Sequence, residues 1–148
     1  MTDQFERFER FASVISAISR HIHRIMSEEM EKYGLKGPYA VYLMALHRNP
    51  RGITAARLSD ICEKNKAAVS RALAELEGLK LIVREDNGYR AKIFLTEEGK
   101  KAANYVCDRA ANAVDMAGGA LSEEERTAFY SALEQISNNL KIISKNKK

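Results

Sequence analysis

Between Lys64 and Ala74 the chain carries three basic side chains, Lys64, Lys66 and Arg71, and no acidic one; acids return only at Glu75 and Glu77. On a helix, Val69, Ala72, Leu73 and Leu76 share one face, which leaves Lys66, Ala67, Ser70, Arg71 and Ala74 on the opposite one. A surface of this kind suits a polyanion. Small residues such as Ala67 and Ala74 permit close approach to a groove, while Ser70 and Arg71 have the donors to reach phosphates or base edges. A mixed-charge face that is merely solvated fits these residues equally well, so the surrounding elements must decide.

Those elements have a definite order. Thr54 is a plausible N-cap for a helix carrying Leu58 and Ile61, and Glu63-Lys64-Asn65 is a short polar turn into a helix from Lys66 to about Leu79. Leu81-Ile82-Val83 is strand-like, Asp86-Asn87-Gly88 signals a turn, and Ala91 to Leu95 forms a return strand, which predicts a β-hairpin directly after the helix pair. Upstream, Gly37-Pro38 opens a short helix with Tyr39, Tyr42, Leu43 and Leu46 on one face, stopped at Asn49-Pro50.

Long helices flank this segment. From Asp3 to Tyr33 one apolar stripe runs through Phe8, Ala12, Ile15, Ile22 and Met26 and a second through Phe11, Val14, Ile18 and Ile25. About 30 residues at ~1.5 Å rise span ~45 Å, more than the roughly 38 Å diameter of a compact globule of this size, so the helix calls for a partner beyond its own chain. Thr96-Glu97-Glu98 caps a helix with an Ala-rich face that ends at Gly118-Gly119. Ser122 and Glu125 form a capping box for a last helix, in which Phe129, Leu133, Ile136, Leu140 and Ile143 keep a coiled-coil-like spacing.

The 148 residues bear a formal charge of +4, with 45% hydrophobic and 30% charged residues and no Trp. That permits a polyanionic partner without demanding one. No segment approaches the ~18 apolar residues of a membrane span and no export signal opens the chain, so the expectation is a cytoplasmic protein with no membrane partner. Cys62 and Cys107 form neither a C-x-x-C pair nor a site with His at ligand spacing, so no disulfide, metal or cofactor is indicated. Nucleophile elbow, phosphate loop and H-E-x-x-H are all missing, which argues against an enzyme.

Taken together, Leu58-Ser59-Asp60-Ile61, Asn65-Lys66-Ala67-Ala68-Val69-Ser70-Arg71, Leu81-Ile82 and Leu95-Thr96-Glu97-Glu98-Gly99 resemble the MarR family of winged helix-turn-helix transcription regulators over nearly the whole chain. The resemblance implies a mainly α fold with a small β-hairpin wing, as a single domain 1–148. Residues 1–34 and 97–148 would form dimerisation helices around a DNA-binding lobe at 38–95. It further implies a homodimer on a pseudo-palindromic double-stranded DNA operator, probing successive major grooves with its recognition helices and flanking minor grooves with its wings. Thr54, Lys64, Lys66 and Arg90 would anchor phosphates or the minor groove, with Asn87 at the wing tip, and Ala67, Ala68, Ser70 and Arg71 would read bases. Phe8, Ile15 and Ile22 with Phe129, Leu133, Ile136 and Leu140 would form the dimer interface. A repressor role, released by a small aromatic or anionic effector, also follows from the resemblance, with His21, Arg24, Tyr33, Tyr39 and Tyr42 as the effector region. Two departures stand out. Lys80 occupies the place just after the recognition helix where the family often has Gly, implying a different helix end. The wing is short, and of the family's Asp-x-Arg tip Arg90 alone retains the cation.

Blander readings stand beside these. His21 and His23 lie two residues apart on different helix faces, poor geometry for joint metal ligation. Glu63 beside Cys62 opposes an activated thiol, and Cys107 falls near an apolar face. The three tyrosines at helical spacing also suit a core, and the basic tail from Lys141 to Lys148 suits the negative end of a helix dipole. The alternative function is a winged helix that binds a protein and no DNA.

Overall fold

The computed structural model describes residues 3–86, 88 and 90–146; Asn87, expected at the wing tip, lies outside them. These residues fall into two compact units that divide between Ala111 and Asn112.

The first unit opens with helix α1 (Asp3–Glu31), whose buried residues, Met26, Glu29 and Met30, cluster in its last turns. A 3-10 turn, Gly37–Tyr39, leads into α2 (Ala40–Arg48), and α3 (Ala55–Cys62) and α4 (Lys66–Gly78) follow. Pro38 lies within the 3-10 turn, so the α-helix proper begins after Tyr39. Strands β2 (Ile82–Arg84) and β3 (Lys92–Leu95) form the expected hairpin, and α5 (Glu97–Ala117) leaves it.

A strand not anticipated from sequence completes the sheet. β1 (Ile53–Thr54) pairs antiparallel with β3, Ile53 opposite Ile93, giving three strands in the order β1-β3-β2. Gly52 makes this possible. Its φ is +91°, and a Cβ there would collide with the Phe94 ring, so a side chain is opposed by both backbone and space.

Leu43 and Leu46 of α2, Leu58 of α3, Val69, Leu73 and Leu76 of α4, Ile93 of β3 and Val106 of α5 meet in one core, each almost or wholly inaccessible to solvent. Truncating one such leucine to alanine costs about 2–5 kcal/mol. This core fixes the inner face of α4 and thereby which residues face outward.

In the second unit α6 (Glu123–Lys145) starts where the Ser122 hydroxyl accepts from the Glu125 amide at 3.1 Å. Arg126 donates to the Gly118 carbonyl at 3.0 Å and bridges Asp115 at 4.0 Å, bracing the turn before α6. No residue of α6 is buried within this chain. Phe129, Ile136 and Leu140 are exposed and Leu133 is half-buried.

Candidate nucleic-acid interface

The turn between α3 and α4 is set by local chemistry. Glu63 takes a left-handed conformation (φ 53°), which lets the Lys64 amide return to the Ser59 carbonyl at 3.1 Å, while the Ser59 hydroxyl donates to the Lys64 carbonyl. Asn65 then caps α4, its side-chain oxygen accepting from the Ala68 amide at 2.8 Å. Short side-chain acceptors at an N-cap satisfy amides that otherwise have no helical partner.

With Val69, Ala72, Leu73 and Leu76 buried, α4 exposes Lys66, Ala67, Ser70, Arg71 and Ala74 as one continuous surface. Lys64 and Arg90 are also exposed, at the turn and on the hairpin respectively. Two assigned residues sit differently. Ala68 is half-buried, with its amide engaged by Asn65, and so stands at the edge of the outward face. Thr54 is half-buried too, and its hydroxyl accepts from the Arg57 amide at 3.2 Å, which makes it the cap of α3.

The end of α4 corrects the expectation of a different helix terminus. Lys80 adopts φ 62°, its amide bonds to the Glu77 carbonyl and the Leu81 amide to the Leu76 carbonyl, both at 3.0 Å. That is the Schellman closure that glycine normally supplies, here made by lysine. Next to it, the Thr96 hydroxyl donates to the Lys80 carbonyl at 2.6 Å and accepts from the Gly99 amide at 3.0 Å, binding the start of α5 to the same corner.

Arg84, not singled out from sequence, lies on β2 with its Nε donating to Glu77 of α4 at 3.0 Å. Only the fold brings these two together, since the strand must first turn back along the helix.

Of the tyrosines in the expected effector region, Tyr39 and Tyr42 neighbour each other, and Tyr33 packs on a third ring. Tyr39 and Tyr42 have rings 6.1 Å apart; Tyr42 is buried in the core, and the Tyr39 hydroxyl donates to Glu75 at 2.6 Å. That bond, then burial, raises the Tyr39 phenol above its ordinary value, and burial raises that of Tyr42. Tyr33 instead packs edge-on against Tyr105 at 5.6 Å. Close by, the buried Glu29 carboxylate meets Lys32 at 3.1 Å and Arg109 at 3.3 Å. Burial would raise its pKa, but the hydrogen bonds of Tyr105, Lys32 and Arg109 and the Lys32 charge outweigh burial and hold it below the usual value. His21 is exposed on α1, and Arg24 pairs loosely with Glu28 at 3.9 Å.

Both thiols are half-buried, and burial raises each above the ordinary cysteine value. For Cys62, Lys64 opposes the rise, and the thiol faces the Val41 carbonyl at 3.7 Å. Among the described residues no group of three or more His, Cys, Asp or Glu is placed to hold a metal, and no helix is long and apolar enough to cross a membrane.

Two helices joined by a tight turn, the second free of acids from Lys66 to Ala74, followed by a hairpin on a small sheet, define a winged helix-turn-helix protein. Residues 33–92 match the MarR family model, in line with the resemblance read from sequence. The chain is 25% identical over 129 residues to YybA, an uncharacterized HTH-type transcriptional regulator of Bacillus subtilis, covering 85% of each. A MarR transcriptional regulator from Methanosarcina mazei has the same fold, with 27% identity, a TM-score of 0.78, and 90% of this chain and 92% of that one covered. A MarR-family regulator from Listeria monocytogenes, solved with a 26mer DNA, matches at 24% identity and TM-score 0.78 over 93% of this chain and 95% of that one.

Proposed function

We propose that the chain is a sequence-specific double-stranded DNA-binding transcription regulator acting as a homodimer. The observation that carries this reading is the exposed face of α4, where Lys66, Ser70 and Arg71 stand beside small alanines on a helix locked from behind by Val69, Leu73 and Leu76. From Lys66 to Ala74 such a helix presents donors at groove width with no acid among them, and the exposed Glu77 beyond is paired with Arg84. The DNA complex of the Listeria regulator gives further support, since it is a protein of this fold on a duplex.

Two exposed apolar surfaces support the dimer. In the first unit Phe8 and Ile18 of α1 stand open to solvent, with Ile15 and Ile22 half-buried; in the second, Phe129, Ile136 and Leu140 do. Apolar faces of this extent mark interaction sites. The roles of the two terminal segments as dimerisation helices around a lobe at 38–95 belong to this proposal. So do repression and its release by a small aromatic or anionic effector, which rest on the family resemblance.

Selection of bound duplexes from a random pool, with light scattering on the free protein, tests the core of the proposal. Inverted half-sites about one helical turn, roughly 34 Å, between centres and a dimeric mass are expected. Single unpaired sites, or a folded protein that binds no duplex in a salt-dependent way, would overturn it and favour a protein-binding winged helix. Titrating a bound complex with aromatic carboxylates tests effector release.

A further inference from the structure

Beside the outward face of α4 lies a depression of about 190 Å³ in which Lys66 and Ser70 of that face meet Arg84 of the hairpin. Its base is formed by the buried Val69 and Leu73, Ala55 of α3 borders it, and its polar lining is Lys66, Ser70 and Arg84. No acid lines it. Two cations and a hydroxyl around an apolar base make a complementary seat for a phosphate whose attached sugar rests on hydrocarbon.

Arg84 is built for such a seat. Its side chain is 30% exposed, and Glu77 is its one partner among the described residues, engaging Nε at 3.0 Å. A guanidinium offers five donors in a planar fork, so pairing through Nε leaves the Nη donors free.

We propose that Arg84, together with Lys66 and Ser70, seats one backbone phosphate of a DNA duplex in this depression; the inference rests on the DNA binding proposed above. The full-length protein and its Arg84→Gln and Arg84→Lys variants would be titrated with a random-sequence duplex library, and with duplexes recovered from it, over a range of salt concentrations. For Arg84→Gln the slope of log K against log salt is expected to fall in magnitude by up to about 0.9, the full value of one phosphate contact that it shares with Lys66, with the same fold-loss on every duplex. Arg84→Lys, which keeps the charge, is expected to keep the slope.

An unchanged slope in a folded Arg84→Gln protein overturns the phosphate seat while leaving DNA binding intact. A loss that varies with sequence also overturns it, because the contact would then be to a base. Failure of the unaltered protein to bind any duplex in a salt-dependent way overturns both this inference and the function it rests on.

Discussion

The Tyr39 hydroxyl donates to the Glu75 carboxylate across 2.6 Å, tying the turn before α2 to α4, 36 residues further along the chain. The bond links the entry into the winged helix to the flank of α4, one helical position from the exposed Ala74. Together with the longer Lys36–Glu75 pair at 3.9 Å, it holds the two segments in register.

Removing that bond should be measurable. A hydrogen bond to a charged acceptor contributes about 1.5–3 kcal/mol, so Tyr39→Phe should lower stability by an amount near the bottom of that range, given partial exposure. Urea unfolding monitored by circular dichroism would show it as a lower midpoint at unchanged slope. The pH dependence has a defined sign. The phenol is raised in the folded state, so its contribution is fully present below the unfolded value of about 10 and is lost as pH rises through the folded value. Tyr39→Phe should remove this alkaline component, and an alkaline limb identical in both proteins would contradict the role given to the bond.

Lys80 is in a conformation that L side chains adopt at a cost, with φ 62°. Its amide and that of Leu81 nonetheless close the helix. Lys80→Gly should therefore stabilise the protein by about 0.5–1 kcal/mol, the relief of backbone strain being partly offset by greater freedom of the unfolded chain. Lys80→Ala keeps the strain and should show no such gain. Thermal unfolding of the two variants side by side separates backbone relief from loss of the lysine side chain.

Much of the helical framework was legible because its signals are local. Asn65, Thr54 and Ser122 each cap the helix that they precede through an amide three residues on, and the apolar spacing of Val69, Leu73 and Leu76 sets the inner face of α4. The misses share the opposite property. β1 exists because Ile53 pairs with Ile93, and no two-residue segment announces such a partner. Nor does sequence name the partners of the tyrosines: Tyr33 finds Tyr105 and Tyr39 finds Glu75 through the tertiary fold. Arg84 was overlooked for the same reason, since its meaning depends on a strand lying against α4.

Within the exposed face of α4, Arg71 and Lys66 should fail in different ways. Arg71→Ala should cost about 1–3 kcal/mol of binding to a preferred duplex and relax preference at one base pair. Lys66→Ala should weaken binding to all sequences alike and reduce the salt slope by up to about 0.9. Anisotropy titrations on preferred and random duplexes distinguish a base contact from a phosphate contact. If both variants bind like the parent protein, the assignment of this face to DNA is wrong.

The start of α5 is a packing constraint hidden in an ordinary-looking Thr-Glu-Glu-Gly run. A Cβ on Gly99 would overlap the Leu81 carbonyl oxygen, the same oxygen that accepts from the Thr96 amide at 3.0 Å. The obstacle is backbone, which cannot rotate away as a side chain tip can, and it lies beside the Schellman corner at Lys80. Gly99→Ala must therefore push α5 from the hairpin or break the Thr96–Leu81 bond, at a cost of about 2–3 kcal/mol or more. Ala is otherwise the better helix former by about 1 kcal/mol, so the local preference and the tertiary constraint predict opposite signs. A melting temperature that rises in Gly99→Ala would mean that α5 can move off Leu81 freely; a fall of several degrees would show that the small residue is required by the approach of the two backbones.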